Sequence, residues 1–333
     1  MLSKAILFLV PIISGLMLPD KLMAQVPISP YPTSFSLLEE NDFFSLNNDS
    51  DIHYTQGLRI EFMRQLHHKP NFFWIIPLPL YDTVSYGFNS GFVFAQNMYT
   101  PQVIDSLIVQ PNDRPFAAWL YAGSKIQVVD MYFNWQDTYE VTIGLLGKAA
   151  LGDPIQSGVH WLLDDPNPTW VGEVNPSIPV ALLLSFDRRW MIDLCSNCGK
   201  FGSYIVPAAG FRLGNVFTDL NAGATLFFGF NAPRTFDAGR INPSVLGINA
   251  VNFRLYFSAQ GTGRLGLFNF SLDHKFGNNY RVHREPLVGD VIFGAHLEIF
   301  RFMVSLLQVF RTPEVQEVSN YHDYGVIQLT FRM

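Results

Sequence analysis

Five polar residues in this sequence combine the groups that metal-assisted or base-catalysed hydrolysis needs. Asn41 and Asp42 follow the first segment of alternating polarity, and Thr55 precedes the second. Gln156 and His160 lie four residues apart, so a helix would place both on one face. An imidazole can act as a general base, whereas carboxylate, amide and hydroxyl oxygens can hold a hard cation. These residue types are typical of a hydrolase.

The segment between Asp42 and Thr55 is rich in further oxygen ligands. Its Asx residues are Asn47, Asn48, Asp49 and Asp51. Such ligands suit calcium, but the spacing is not that of an EF-hand. Ordinary turn chemistry explains an Asx-rich stretch equally well. The residues alone leave both interpretations open.

The composition indicates which fold must position these residues. Hydrophobic residues make up 48% of the chain, but charged residues only 15%, against about 25% in an ordinary soluble domain. Beyond the first 24 residues, no uncharged apolar run is long enough to predict a membrane-spanning helix. The fold is therefore predicted to be all-β, a transmembrane antiparallel β-barrel of the outer-membrane type, because its strands are too short to appear as long apolar runs.

The N-terminus predicts export. Lys4 precedes an apolar stretch, and Leu22, Met23 and Ala24 form a small-residue cleavage site. Residues 1–24 are predicted to be a cleaved signal peptide, and residues 25–333 a single barrel domain.

Alternation of apolar and polar residues predicts the individual strands. It is clearest within 58–62, 253–260, 290–299 and 325–333. The predicted strands are 34–41, 54–66, 85–98, 117–130, 137–149, 178–192, 203–213, 221–230, 252–263, 288–299, 301–311 and 323–332. Their number, about twelve, is even, as is usual for single-chain outer-membrane barrels.

This topology predicts where the candidate residues lie. With both termini in the periplasm, the outer loops are 42–53, 99–116, 150–177, 214–220, 264–287 and 312–322. Asn41, Asp42, Thr55, Gln156 and His160 would then gather at the outer end of the barrel. Two inner connections, 67–84 and 231–251, are longer than such turns usually are.

Several other patterns carry no function. A G-x-G-x-x-G match at 261–266 ends a predicted strand and lacks the strand-to-helix context of a dinucleotide site. Cys195 and Cys198 are the only cysteines and form either a local disulfide or two free thiols. The net charge of −6, without any basic run, argues against nucleic-acid binding. Nothing in the sequence indicates a protein partner.

An ordered series of motifs resembles the LpxR-type lipid A 3′-O-deacylase family. The motifs are E-N-D-F-F at 40–44, Y-T-Q-G at 54–57, Q-N-M-Y-T-P at 96–101, D-R-P-F-A-A-W-L-Y at 113–121, Gln156-x-x-x-His160, L-G-N-V at 213–216 and F-S-L-D at 270–273. The resemblance implies a twelve-stranded barrel in the bacterial outer membrane. It also implies calcium-dependent removal of the 3′-linked acyl or acyloxyacyl group of lipid A, with lipopolysaccharide of the outer leaflet as the partner.

Roles for the five residues follow from this resemblance. His160, Gln156, Asn41 and Thr55 are the implied catalytic residues, and Asp42, Asn41 and Thr55 the implied metal site. We expect His160 to deprotonate water, with Gln156 or a carboxylate orienting its ring, and we keep Thr55 as an alternative nucleophile.

The chain also departs from the family pattern. Phe43 stands where a second acidic residue is expected. The acidic residue expected a short way past His160 has three candidates, Asp164, Asp165 and Glu173. Two alternative functions remain open: a porin-like or structural barrel with a decayed site, and a phospholipid hydrolase.

Overall fold

The structure is a computed structural model that describes most of the chain outside its N-terminus. The described residues are 30–45, 54–70, 81, 85–130, 132, 134–195, 199–236, 252–273, 280–318 and 321–333. The predicted signal peptide, 1–24, lies outside these residues, as does the Asx-rich stretch between 46 and 53.

Within the described residues, twelve long strands and one two-residue strand form a single antiparallel sheet. They are β1 (Thr33–Asn41), β2 (Gln56–Leu66), β3 (Tyr86–Tyr99), β4 (Ala117–Asp130), β5 (Trp135–Leu146), β6 (Val180–Trp190), β7 (Ile192–Asp193), β8 (Phe201–Gly214), β9 (Phe217–Phe230), β10 (Phe253–Asn269), β11 (Leu287–Ile299), β12 (Phe302–Arg311) and β13 (His322–Arg332). Pairing of β1 with β13 and of β6 with β8 closes the sheet into a barrel. The predicted barrel is confirmed.

The alternation of side chains gives the barrel an apolar wall and a polar interior. In β1, Ser34 and Ser36 are buried while Phe35, between them, is 42% exposed. In β2, the carboxylate of Glu61 is likewise buried while Phe62 is exposed. The period-two pattern therefore places aromatic side chains outside and polar ones in the lumen.

Ion pairs fill much of this lumen. Glu61 accepts from the Nζ of Lys125 at 2.7 Å and pairs with Arg59 at 2.9 Å. Arg59 also reaches Glu140 at 2.6 Å. Nearer the barrel end at which Asn41 lies, Arg311 pairs with Asp290 at 2.7 Å. The remaining polar cavity in this part of the barrel has a volume of about 310 Å³.

The strand boundaries agree with the predicted ones to within four residues, except at the end of β10. Residues 147–149 were predicted to continue the fifth strand, but Gly147–Ala150 forms a 3-10 turn. Gly147 has φ +64, and a Cβ there would lie 2.2 Å from the carbonyl oxygen of Val174, so the chain leaves the sheet there. In contrast, β10 runs past the predicted end at 263 to Asn269.

The longer β10 also explains the dinucleotide-like glycines. Residues 261–266 lie within the strand, with 261–265 paired on both sides, and not at a strand-to-helix turn. No helix in the described ranges is both long and apolar enough to cross a membrane. Cys195 is disulfide-bonded, and Cys198 lies outside the described residues.

Candidate active site

The first half of the site lies where β1 and β2 end. Asn41 pairs with Gln56, which places Thr55 level with Asp42. The Oδ1 of Asn41 accepts the backbone N–H of Phe43 at 2.8 Å and caps the 3-10 turn Asp42–Phe44. Asp42 and Thr55 are buried, only 2% and 4% exposed. Asn41, Asp42 and Thr55 are therefore neighbours at the ends of this strand pair.

The pairing register shows that part of this half lies on the outer wall of the barrel. Phe35 faces outward, so alternation places Glu39 and Asn41 on the same outward face. Gln56 lies across from Asn41, and the neighbouring strand continues this face with Gln96. Polar side chains on a lipid-facing wall are unfavourable unless they are covered or used.

The second half of the site is a helix that follows β5. This helix, α1 (Gly152–Leu163), buries Gln156 and His160, which lie on one face as predicted. Its last turn exposes Trp161, Leu162 and Leu163. The helix is thus amphipathic, with its polar candidates turned towards the protein.

A backbone carbonyl orients the imidazole of His160. Its Nδ1 lies 2.7 Å from the carbonyl oxygen of Pro166. A carbonyl can only accept, so Nδ1 carries the proton and the lone pair lies on Nε2. We expected Gln156 or a carboxylate to hold the ring, but this contact assigns that role to the loop backbone after α1.

Gln156 is hydrogen-bonded instead to Trp170, which lies between α1 and β6 in the same loop. Its Oε1 accepts from the indole Nε1 of Trp170 at 3.0 Å. Trp170 stacks on Phe116 with ring centroids 5.1 Å apart and packs in an apolar cluster with Met98 and Ala150. This cluster anchors α1 against the ends of β3 and β4.

The end of β3 joins the two halves of the site. On one side, the backbone N–H of Thr55 donates to the carbonyl of Met98 at 3.3 Å. The hydroxyl of Thr55 also lies 2.5 Å from that of Thr100. On the other side, the Nε2 of Gln96 donates to the carbonyl of Ala150, just before α1, at 2.6 Å. Residues 96–100 therefore contact Thr55 directly and, through Ala150, the start of the loop that carries Gln156 and His160.

The three acidic candidates beyond His160 differ in their surroundings. Asp164 and Asp165 are exposed, and their backbone N–H groups cap the carbonyl of His160. Glu173 is partly buried, and its Oε1 lacks a hydrogen-bond partner in the described part of the chain. Burial raises the pKa of Glu173 to about 7, although the charge of Lys148 opposes the rise.

The donor atoms around Asp42 fit calcium in type. Asp42 offers a carboxylate, Asn41 an amide oxygen and Thr55 a hydroxyl, which are all hard oxygen ligands. Across the described ranges, no group of three or more His, Cys, Asp or Glu side chains is placed to hold a metal ion. A calcium ion at Asp42 would therefore need mostly neutral oxygens or water to complete its shell.

Four contributors to the site were not predicted from the sequence. The Pro166 carbonyl, Trp170 and Thr100 act through contacts between distant loops, which no local pattern shows. Gln96 could have been found, because alternation along β3 places its polar side chain on the outward face, directly after Phe92 and Phe94 on that face.

The fold and the candidate site place this protein among the outer-membrane β-barrels. The chain is an outer-membrane β-barrel with polar candidate residues at one end of its wall and a loop helix packed at the same end. The sequence profile of the family described as "Outer membrane protein LpxR" matches residues 7–333. The chain therefore belongs to the LpxR family.

A solved structure shares this fold. The chain is similar to LpxR from Salmonella typhimurium, with a TM-score of 0.73 at 16% identity, covering 90% of this chain and 100% of that one. The β domain of the Bordetella autotransporter BrkA gives a TM-score of 0.42 at 10% identity, with coverage of 91% and 98%. Comparison with curated protein sequences finds none that matches.

Proposed function

We propose that this protein is a calcium-dependent esterase of the outer membrane that removes the 3′-linked acyl or acyloxyacyl group of lipid A. The observation that carries the proposal is His160, a histidine with a fixed tautomer on a loop helix against the barrel wall. Membership of the LpxR family supports lipid A, the lipid of the outer leaflet, as the substrate.

His160 acts as the general base. Because its Nδ1 proton is held by the carbonyl of Pro166, Nε2 accepts a proton from water as the water attacks the ester carbonyl. The same Nε2 then returns the proton to the leaving alkoxide. Because the ring is already held in one orientation, the reaction does not have to bear the entropic cost of fixing it.

Asp42, Asn41 and Thr55 would hold the calcium ion, as their oxygen donors permit. A bound calcium supplies positive charge for the oxygen that becomes negative in the tetrahedral intermediate. Gln156 acts as a positioning residue, because its side-chain oxygen is engaged by Trp170.

Water, not Thr55, is the proposed nucleophile. The described partner of the Thr55 hydroxyl is another hydroxyl, that of Thr100. A hydroxyl is a poor base for activating a second one. This contact favours a binding role for Thr55.

The surroundings of the site suit a lipid substrate. Phe43, next to Asp42, is 75% exposed, and Trp161 beside His160 is 77% exposed. Aromatic side chains of this kind are enriched at membrane interfaces. An ester of the outer leaflet can therefore reach the site along the wall without leaving the membrane.

The alternative functions predict different results. A porin-like role is disfavoured by the ion pairs that fill the lumen. A phospholipid hydrolase would use the same residues, so only a comparison of substrates can distinguish it from a lipid A esterase. Purified protein with calcium should release acyl groups from lipid A and not from phosphatidylethanolamine in the same micelles. Release from the phospholipid alone would replace lipid A as the substrate.

A further inference from the structure

A groove lies on the outward face of the barrel wall, near the end opposite Asn41. Its volume is about 880 Å³, within the range of roughly 300–1,000 Å³ that is typical of ligand pockets. The described residues that line it come from β2, β3, β4 and β5 and from the segment that follows β2. The predicted topology places this end of the barrel on the periplasmic side, away from the candidate active site.

Small side chains form the bottom of this groove. Phe92 pairs with Ser124 and Phe94 with Ala122, so alternation places all four side chains on the outward face. Phe92 is 68% exposed, whereas Ser124 and Ala122 are too short to extend as far from the sheet. The hydroxyl of Ser124 donates to the carbonyl of Gly91 at 3.4 Å. A depression of this kind in a lipid-facing wall is filled by hydrocarbon, because a void would forfeit dispersion contacts.

The length of the groove suits one acyl chain of one leaflet. Arg64 pairs with Ser90 at one end of the groove, and Ala122 pairs with Ile143 at the other. Ala122 lies across from Phe94, so the two ends are four residues apart along β3, or about 13 Å. Half of the hydrocarbon core of a bilayer is about 15 Å thick. The groove therefore extends from the level of Arg64 towards the middle of the membrane.

The end of the groove at Arg64 is basic. Arg64 lies two residues before the end of β2, and His67 and His68 follow that strand. All three side chains line the groove and are exposed. Lys69, in contrast, donates to the carbonyl of Tyr81 at 2.8 Å and is not a lining residue.

The charge of Arg64 is not neutralised by the protein. Arg64 forms no ion pair with any residue that the structure describes, and the described lining residues include no carboxylate. A guanidinium matches phosphate in geometry and can bind it with two parallel hydrogen bonds. The groove thus combines an apolar channel of acyl-chain length with a cation at its headgroup end.

We propose that this groove binds an anionic phospholipid of the periplasmic leaflet, with one acyl chain over Ser124 and Ala122 and the phosphate on Arg64. A zwitterionic headgroup would add an ammonium group for which the described lining residues offer no carboxylate, so an anionic headgroup is preferred. The site lies at the other end of the barrel from His160. It does not depend on the proposed function.

Native mass spectrometry of the full mature protein in detergent tests this site. Phosphatidylglycerol and phosphatidylethanolamine with the same acyl chains are titrated separately, and the dissociation constant of the first bound lipid is measured for each. Wild-type protein should bind phosphatidylglycerol more tightly. Arg64→Ala should weaken that binding about tenfold, the expected loss of a charge-assisted hydrogen bond, and Arg64→Lys should retain most of it. Ser124→Leu fills the groove and should weaken binding of both lipids.

Two matched variants control for charge and for bulk. Arg301 is an exposed arginine at the same end of the barrel, between β11 and β12, so Arg301→Ala should change neither constant. Ala295 lies on the outward face of β11, across from Phe257, and Ala295→Leu should also bind both lipids as the wild type does. Every variant should remain a heat-modifiable barrel, which shows that it is folded.

Four results would overturn the proposal. Equal weakening in Arg64→Ala and Arg301→Ala would mean that phosphatidylglycerol responds only to net charge. Unchanged binding in both Arg64→Ala and Ser124→Leu would place the lipid elsewhere on the wall. Equal affinity of wild-type protein for the two lipids would refute the preference for an anionic headgroup. A wild-type dimer that Ser124→Leu dissociates would show that a second copy of the chain covers the groove.

Discussion

The indole Nε1 of Trp170 donates a 3.0 Å hydrogen bond to Oε1 of Gln156, and both side chains are buried. Trp170 has φ 50, a backbone conformation that an aromatic residue rarely adopts. The packing around it must offset that strain. The third outer loop therefore adopts an unusual backbone conformation at Trp170, and in this conformation the indole reaches Gln156.

Replacing this indole should impair activity more than stability of the barrel. Trp170→Phe keeps the ring packing but leaves the buried oxygen of Gln156 without its donor, at a cost of about 1–3 kcal/mol. We expect about a tenfold fall in kcat, because α1 loses its fixed position. Trp161→Phe, on the exposed face of the same helix, is the control and should be near wild type. Equal rates for both variants would show that the contact does not position the site.

Calcium and Asp42 should act together. Asp42→Asn keeps the side-chain shape but removes the carboxylate charge, so activity should fall at least about 100-fold. Chelation of wild-type protein should have the same effect. Added calcium should restore the chelated wild type but not His160→Ala, in which the base is missing. Deacylation that persists through chelation would mean that no metal is involved.

Glu173 should make the third outer loop sensitive to pH. Burial raises its pKa from 4.5 to about 7, so the folded loop favours the protonated acid. The resulting stability is present in full below about pH 4.5, decreases as pH rises, and is lost above about pH 7. Amide exchange in 170–174, corrected for intrinsic rates, should show more frequent opening at pH 8 than at pH 5.

Glu173→Gln should remove that difference, because an amide does not ionise. Asp164→Asn changes an exposed acid on the same loop and should leave the difference in amide exchange between pH 5 and pH 8 unchanged. If the pH dependence survives in Glu173→Gln, another group controls the loop.

The lumen should conduct poorly. The ion pairs of Arg59, Glu61, Lys125 and Glu140 cross the interior, and side chains fill barrels of this size. In planar bilayers, purified protein should pass far less current than an open porin. Stable large conductance would favour the porin-like alternative.

Strand positions could be predicted from the sequence because they depend on a local property. Alternation along β11 and β13 fixes which face each side chain takes, and the strand limits follow to within a few residues. The end of β10 was missed because glycines at 261 and 263 were interpreted as the end of a strand. In the barrel they lie in the middle of a paired strand, where a Cβ would meet nothing.

The site could be predicted only in part. Spacing was sufficient to place Gln156 and His160 on one helical face. The orientation of His160 could not be derived, because it depends on the carbonyl of Pro166 and on how the loop folds back. The hydrogen bond between Gln156 and Trp170 likewise depends on tertiary packing, which no local sequence pattern predicts.

Mass spectrometry of lipid A from cells that produce the wild-type chain or His160→Ala tests the central claim most directly. Both proteins should be present in the outer membrane as heat-modifiable barrels. The wild type should yield lipid A lighter by its 3′-linked acyl or acyloxyacyl group, and His160→Ala should leave lipid A intact. Unchanged lipid A in wild-type cells with folded protein, or equal deacylation in both, would contradict the account.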